Sequence, residues 1–269
     1  MREPRPPIAR ALWWTATLGL AAVLALACTA PQHTLPADGP QTAEAVLARA
    51  LARPLPATAQ GMARLEAYAH GERRSVDVVV QIAMPDAVQL QAVSPTLDML
   101  AVLATDGKRF VSFERGGATC SVGEACPQNL ARLLPIALPP AELVPALLGR
   151  PPLWALAGQR LAWDEARGLY RVTRGDDAGP HQQVFVSPHD FRFVGTVLWQ
   201  GAERLASLEY VGTGRLPETL RYRTKDTDVT VAMRRIELDQ PIDREAFAIA
   251  CPDGMLRQEL PCGPPAQPP

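Results

Sequence analysis

The feature that most limits what this chain can fold into is a change of period. From Gly61 onward, apolar residues recur at every second position in run after run, and a turn signal closes each run. Leu65, Ala67 and Ala69 alternate with Arg64, Glu66, Tyr68 and His70. After a turn at His70-Gly71-Glu72, Val76, Val78, Val80, Ile82 and Met84 share one face, with Asp77 and Gln81 opposite. Pro85-Asp86 turns the chain again, and Val88, Leu90 and Ala92 continue the pattern. Residues 100–104 and 108–115 flank Asp106-Gly107, a hairpin signal because both residues tolerate the backbone that a two-residue turn needs. The rhythm resumes after Trp154, at 159–163, 170–174, 182–187, 193–199, 204–211, 219–223 and 229–238. In the last of these, Val229, Val231 and Met233 are out of phase with Ile236 and Leu238, so a bulge is expected near Arg234-Arg235. About eleven strands joined by short turns make an antiparallel meander. A sheet of that size hides its edges by curving or closing, and around that strand number a barrel can enclose a cavity.

Two stretches break the period. Thr42 reads as an N-cap, and Ala43, Val46, Leu47, Ala50 and Leu51 form one helical stripe that Pro54 ends. In mid-chain, 128–134 and 140–148 read as helical. Pro140 suits a first turn, Gly149 suits a C-cap, and Pro145 implies a kink or two short pieces. This insert is apolar on most sides, so it must be covered or must cover something.

The N-terminus reads as an export signal. Arg2, Arg5 and Arg10 precede an apolar run from 11 to 27 that ends in small residues at Cys28. Leu24-Ala25-Leu26-Ala27-Cys28 resembles the lipobox of bacterial lipoproteins. The resemblance implies that Cys28 becomes the mature N-terminus and carries a diacylglycerol and an N-acyl chain. Thr29 after it implies sorting to the outer membrane. Ala25-Leu26-Ala27 also fits an ordinary signal-peptidase site, and an uncleaved signal anchor is a third reading. Together the chains of such an anchor, at roughly 0.8 kcal/mol per buried methylene, hold a protein on a membrane.

Cysteine usage fits that compartment. With Cys28 acylated, four of the five cysteines remain, and the close spacing of Cys120 with Cys126 and of Cys251 with Cys262 suggests two local disulfides. A metal site is the rival reading, but neither pair has CxxC spacing or a nearby histidine. A formal net charge of −1 argues against electrostatic nucleic-acid binding, while 47% hydrophobic residues suffice for a core. No hydrolase, metalloprotease, P-loop or dinucleotide motif is present, so no catalytic residue, metal or cofactor is expected. Histidines 33, 70, 181 and 189 lie in the tether or near turns, where exposure is the usual state. Trp154, Trp163 and Trp199 pack a core or line a cavity.

Three segments together resemble the fold family of the bacterial lipoprotein carrier LolA and its receptor LolB. Ala104-Thr105-Asp106-Gly107-Lys108-Arg109-Phe110 is similar to that family's hairpin. Leu138-Pro139-Pro140-Ala141-Glu142-Leu143 through Leu147-Leu148-Gly149 is similar to its helical insert. Glu237-Leu238-Asp239-Gln240-Pro241-Ile242-Asp243 through Phe247 is similar to its closing strand. The resemblance implies an α+β, mainly β fold: a curved antiparallel sheet forming an unclosed half-barrel, with an N-terminal helix and the insert as lid or plug. It implies an apolar interior for acyl chains, with Val78, Val80, Ile82, Leu90, Phe110, Leu133, Leu143, Leu147 and Trp199 as the expected lining. It also implies an exposed apolar loop, for which Leu97 and Met99 are candidates; packing in the core is the other reading. The expected organisation is a signal over 1–27, a lipidated N-terminus and disordered tether over 28–41, the half-barrel over 42–252, and a disulfide loop with a Pro-rich tail over 253–269. The expected partners are membrane lipid through acylated Cys28 and an acyl chain or lipoprotein cargo. The expected location is the periplasmic face of the outer membrane. The alternative is an envelope sensor or scaffold that contacts a protein partner.

Overall fold

The computed structural model describes residues 33–69 and 71–263. The signal segment, Cys28 with its expected acylation, His70 and the end of the Pro-rich tail lie outside these. The described residues form α1 (Ala43–Ala52), β1 (Thr58–Ala69), β2 (Glu72–Ala83), β3 (Ala87–Val93), β4 (Met99–Thr105), β5 (Arg109–Glu114) and β6 (Thr119–Glu124). The insert follows as α2 (Pro127–Leu130) and α3 (Pro140–Leu147). Then come β7 (Gln159–Asp164), β8 (Leu169–Gly175), β9 (Pro180–Val186), β10 (Phe193–Gln200), β11 (Glu203–Val211), β12 (Thr219–Thr224) and β13 (Thr227–Leu238). A 3-10 turn (Arg244–Phe247) and β14 (Leu256–Leu260) complete them.

All fourteen strands belong to one unclosed sheet, in the order β14-β6-β5-β4-β3-β2-β1-β13-β12-β11-β10-β9-β8-β7. Every pairing is antiparallel except β14 with β6. The long hairpin β1–β2 and its neighbour β13 form the spine. Here the bulge sits where the phase break places it: Gly61 faces Ile236 but Ala63 faces Met233, so β13 carries one extra residue at Arg234-Arg235. Gly61 is required at that point, because a Cβ there would strike the Arg235 carbonyl. The Asp106-Gly107 hairpin also forms as expected. The Asp106 carboxylate accepts from the N–H groups of Lys108 and Arg109, both at 2.9 Å. Partial burial acts against its ionisation, yet these bonds hold it below the usual carboxylate range.

Alternation assigns the faces. On the inner face, Val78, Val80, Ile82, Val88, Leu90, Leu103, Phe110, Val172, Val184 and Val231 join one core with α1 and the insert. Thr42 caps α1 through its hydroxyl, which accepts from Ala45 N–H at 3.2 Å, and Ala43, Val46, Leu47 and Ala50 are buried. Leu51 is exposed, which narrows the expected stripe by one residue. α1 packs over β7 and β8, and α3 over β3, so the two helices fill opposite halves of one concavity.

On the outer face of β3–β6, the crossing from β13 to β14 forms a strap. Phe247 packs with Ala83 and Ala87, while Ile249, Cys251 and Met255 pack on Val102, Phe113, Cys120 and Val122. Both faces of β4 are therefore covered, which accounts for its nearly continuous apolar sequence.

The structure corrects four expectations here. The disulfides are not local: Cys120 joins Cys251 and Cys126 joins Cys262, because β14 lies in register beside β6 and brings distant cysteines to matching levels. The sheet has fourteen strands rather than about eleven; β6 and β14 show no apolar alternation in sequence. The folded body extends past 252 to Leu260. Residues 33–40 are not free tether throughout, since the Trp163 indole donates to the His33 carbonyl at 2.6 Å and Pro40 is buried.

Candidate functional site

The site is the inner face of β1–β4 and the insert seated on it. Leu130, Leu134, Ile136, Leu143, Val144, Leu147 and Leu148 are all buried. They share one core with Ala63, Leu65, Val78, Val80, Leu90 and Val231 of the sheet, and the cavity that Leu134 and Leu147 leave against these residues is about 10 Å3. A single water needs roughly 10–15 Å3. The expected hollow beneath the insert is therefore filled by the insert's own side chains.

How the insert is attached matters as much as how it packs. Among the described residues, the backbone hydrogen bonds made by residues 127–149 all close within 126–150, and none reaches the inner face of the sheet. The ends are attached differently. At the N-terminal end, buried Asn129 donates to the Glu124 carbonyl at 3.0 Å. At the C-terminal end, α3 runs through Pro145 as one eight-residue helix rather than kinking into two pieces. It stops in a Schellman turn: Gly149 (φ 99°) donates to Ala146 and Arg150 donates to Pro145. The Arg150 side chain then donates to the carbonyls of Leu51 and Arg53, at 3.0 and 2.8 Å, at the end of α1. Just beyond, the Gln182 amide donates to Pro152 and to the Thr196 hydroxyl and accepts from Trp154 N–H. Polar contacts pin both ends, and burial alone seats the middle. Glu142, half-buried on α3, has its carboxyl pushed above the usual range by desolvation.

Seven of the expected lining residues, Val78, Val80, Ile82, Leu90, Phe110, Leu143 and Leu147, meet in the inner core, and Leu133 packs against it half-buried. Trp199 does not join them. Leu198 pairs with Gln182 and alternation turns Trp199 to the outer face opposite His181, where the two rings stack with centroids 6.0 Å apart. His181 is itself buried rather than exposed, whereas His189 is exposed. Leu97 is 67% exposed. Its left-handed backbone (φ 66°) is held by Ser94, whose hydroxyl accepts from the N–H groups of Thr96 and Asp98. Such a conformation costs a branched residue about 1–2 kcal/mol, so the tip is displayed at the expense of local strain. Met99 turns inward to the cluster under the strap, and Leu100 is exposed. Among the described residues, no cluster of three or more His, Cys, Asp or Glu could hold a metal ion.

No protein-family model matches the sequence, and no curated protein matches it. Solved structures do. A DUF1329 family protein from Desulfovibrio piger aligns with a TM-score of 0.51 at 8% identity, over 75% of this chain and 94% of its own. The likeness is one of fold. A LolA superfamily protein from Nitrosomonas europaea aligns at 12% identity with a TM-score of 0.48, over 77% of this chain and 98% of its own.

Sequence reasoning overlooked the pinning residues Asn129, Arg150 and Gln182. A mid-strand glutamine inside an apolar run (Gln182, before Val184 and Val186) is the one available signal, since a buried amide needs partners.

Proposed function

We propose that this chain is a lipid-anchored envelope protein that binds an acyl chain, or the lipid of a lipoprotein, on the apolar seat now occupied by its own insert. On this reading it serves lipoprotein or lipid trafficking to or at the outer membrane. The observation that carries the reading is the asymmetry of the insert: pinned ends, and a middle held by burial alone. Such a segment can leave its seat without breaking a hydrogen bond to the sheet.

The magnitudes are compatible with exchange. Seven buried aliphatic side chains at roughly 1.5–3 kcal/mol each contribute about 10–20 kcal/mol. An acyl tail of about sixteen carbons, at roughly 0.8 kcal/mol per methylene, contributes about 12 kcal/mol. One greasy occupant can therefore replace the other at small net cost, and the ligand needs only a preference for the open form. The strained, exposed Leu97 supports a role in contacting membrane during transfer.

The test is displacement of a fluorescent fatty acid from the full chain. Displacement at micromolar protein is expected, strengthened by Leu147→Ala, which loosens the insert. No displacement from either protein overturns the reading. The filled interior would then favour the second one, a tethered scaffold that contacts a protein partner. The anchor is tested separately by palmitate labelling, which Cys28→Ser should abolish.

A further inference from the structure

A second cavity, of about 40 Å3, lies where the insert ends, between α1, the start of β10 and the end of β11. Four arginines line it: Arg53, Arg150, Arg192 and Arg215. They come from four separate segments of the chain. Two carboxylates pair with them: Asp190 with Arg192 at 3.0 Å and Arg53 at 3.6 Å, and Asp239 with Arg215 at 2.8 Å. Neither carboxylate lines the cavity, and Arg150 spends its guanidinium on neutral carbonyls. Positive charge is thus left in excess around a small, partly closed space. Tyr210 also lines it. That residue is 6% exposed, and among the described residues its hydroxyl has no hydrogen-bond partner. A buried hydroxyl without a partner costs about 1–3 kcal/mol; this one has almost no accessible surface, so an acceptor seated in the cavity reaches it through a small shift of the ring.

We propose that this cavity is an oxyanion site, taking a phosphate or carboxylate group between Arg53, Arg150, Arg192 and Arg215 with Tyr210 as an additional donor. The size suits such a group, which replaces roughly three waters. Guanidinium forks match its geometry. The position gives the site a consequence: an anion that draws on Arg150 competes with the Leu51 and Arg53 carbonyls that pin the insert. The shared chemistry is the oxyanion, whether free or the headgroup of an amphiphile, and the site itself does not require an acyl tail to enter the seat.

The experiment titrates the full chain in a nonionic detergent with inorganic phosphate, hexyl phosphate and hexanol, read by calorimetry. Phosphate-bearing probes should bind and hexanol should not. Arg150→Gln and Arg192→Gln should each weaken binding by about ten-fold or more, and Tyr210→Phe by several-fold. Arg160→Gln, on the outer face, should change nothing. Tyr210→Phe keeps the packing, so its effect is readable even where an arginine variant folds poorly. Binding of hexyl phosphate alone identifies an amphiphile headgroup, and equal binding of inorganic phosphate identifies a free oxyanion. The proposal is overturned if neither phosphate binds, if hexanol equals hexyl phosphate, or if Tyr210→Phe and the folded arginine variants bind as the parent does. Phosphate binding that survives a failed fatty-acid displacement would leave this site standing and remove the acyl-seat reading.

Discussion

The two covers of β3–β6 differ in kind. On the inner face, the insert is seated by aliphatic side chains and tied only at its ends. On the outer face, the strap is tied to the sheet by directional and covalent bonds. Asp239 N–H donates to Thr58, the Asp239 carboxylate accepts from Ala57 at 2.8 Å, β14 adds a ladder, and two disulfides lock the far end. The lesson is that burial decides where a segment rests, while directional and covalent bonds decide whether it can leave.

The largest effect should come from cutting the outer cover. The Cys120–Cys251 bond spans 131 residues, but with Cys126–Cys262 intact it closes only the short ring between the two bonds, worth about 3 kcal/mol on chain entropy. The Cys120→Ser/Cys251→Ser pair should lose roughly 3–5 kcal/mol in denaturant unfolding, with amide protection vanishing from 256–260 and persisting across 130–149. Next, Leu147→Ala should cost about 2–5 kcal/mol and speed hydrogen exchange across 130–149 ahead of β14. If the strap opens first in that variant, the comparison is the wrong way round. Gln182→Ala removes the tie beyond α3 and should cost about 1–3 kcal/mol by orphaning its partners. Thr42→Ala touches neither cover and should cost about 1 kcal/mol without altering their relative exchange.

The smallest effect concerns pH. Desolvation raises the Glu142 carboxyl above its ordinary value in the folded state. Ionised, it therefore opposes the seated insert. As pH falls through that raised value the penalty disappears, so 130–149 should exchange more slowly in the window just above the ordinary carboxylate range. Glu142→Gln should seat the insert more firmly at neutral pH and abolish this response.

Much of the sheet was legible because alternation survives wherever one face is solvated, as in β2 and β13, where even the bulge at Arg234-Arg235 could be placed. Legibility failed where a strand's burial depends on a distant partner. Cys120, Ser121 and Gly123 give β6 no apolar stripe, and Leu256–Leu260 is mostly exposed. Their pairing is a tertiary fact, and so is the cysteine connectivity. The apolar character of the insert was plain, yet its volume relative to the concavity was not, because fit depends on curvature that no local pattern records. The arginines at 53, 150, 192 and 215 carry no shared signal at all; only the chain reversals around Gly149 and Gly212 gather them.

The interleaved cysteine pairing bears on how the chain matures. If it is threaded N-terminus first into an oxidising compartment, Cys120 and Cys126 arrive together, long before either native mate. An oxidase acting on first arrivals would join them to each other. On that route the finished protein depends on thiol exchange after translocation, so a cell lacking a disulfide isomerase in that compartment should accumulate a mispaired form in which β14 has no place to dock.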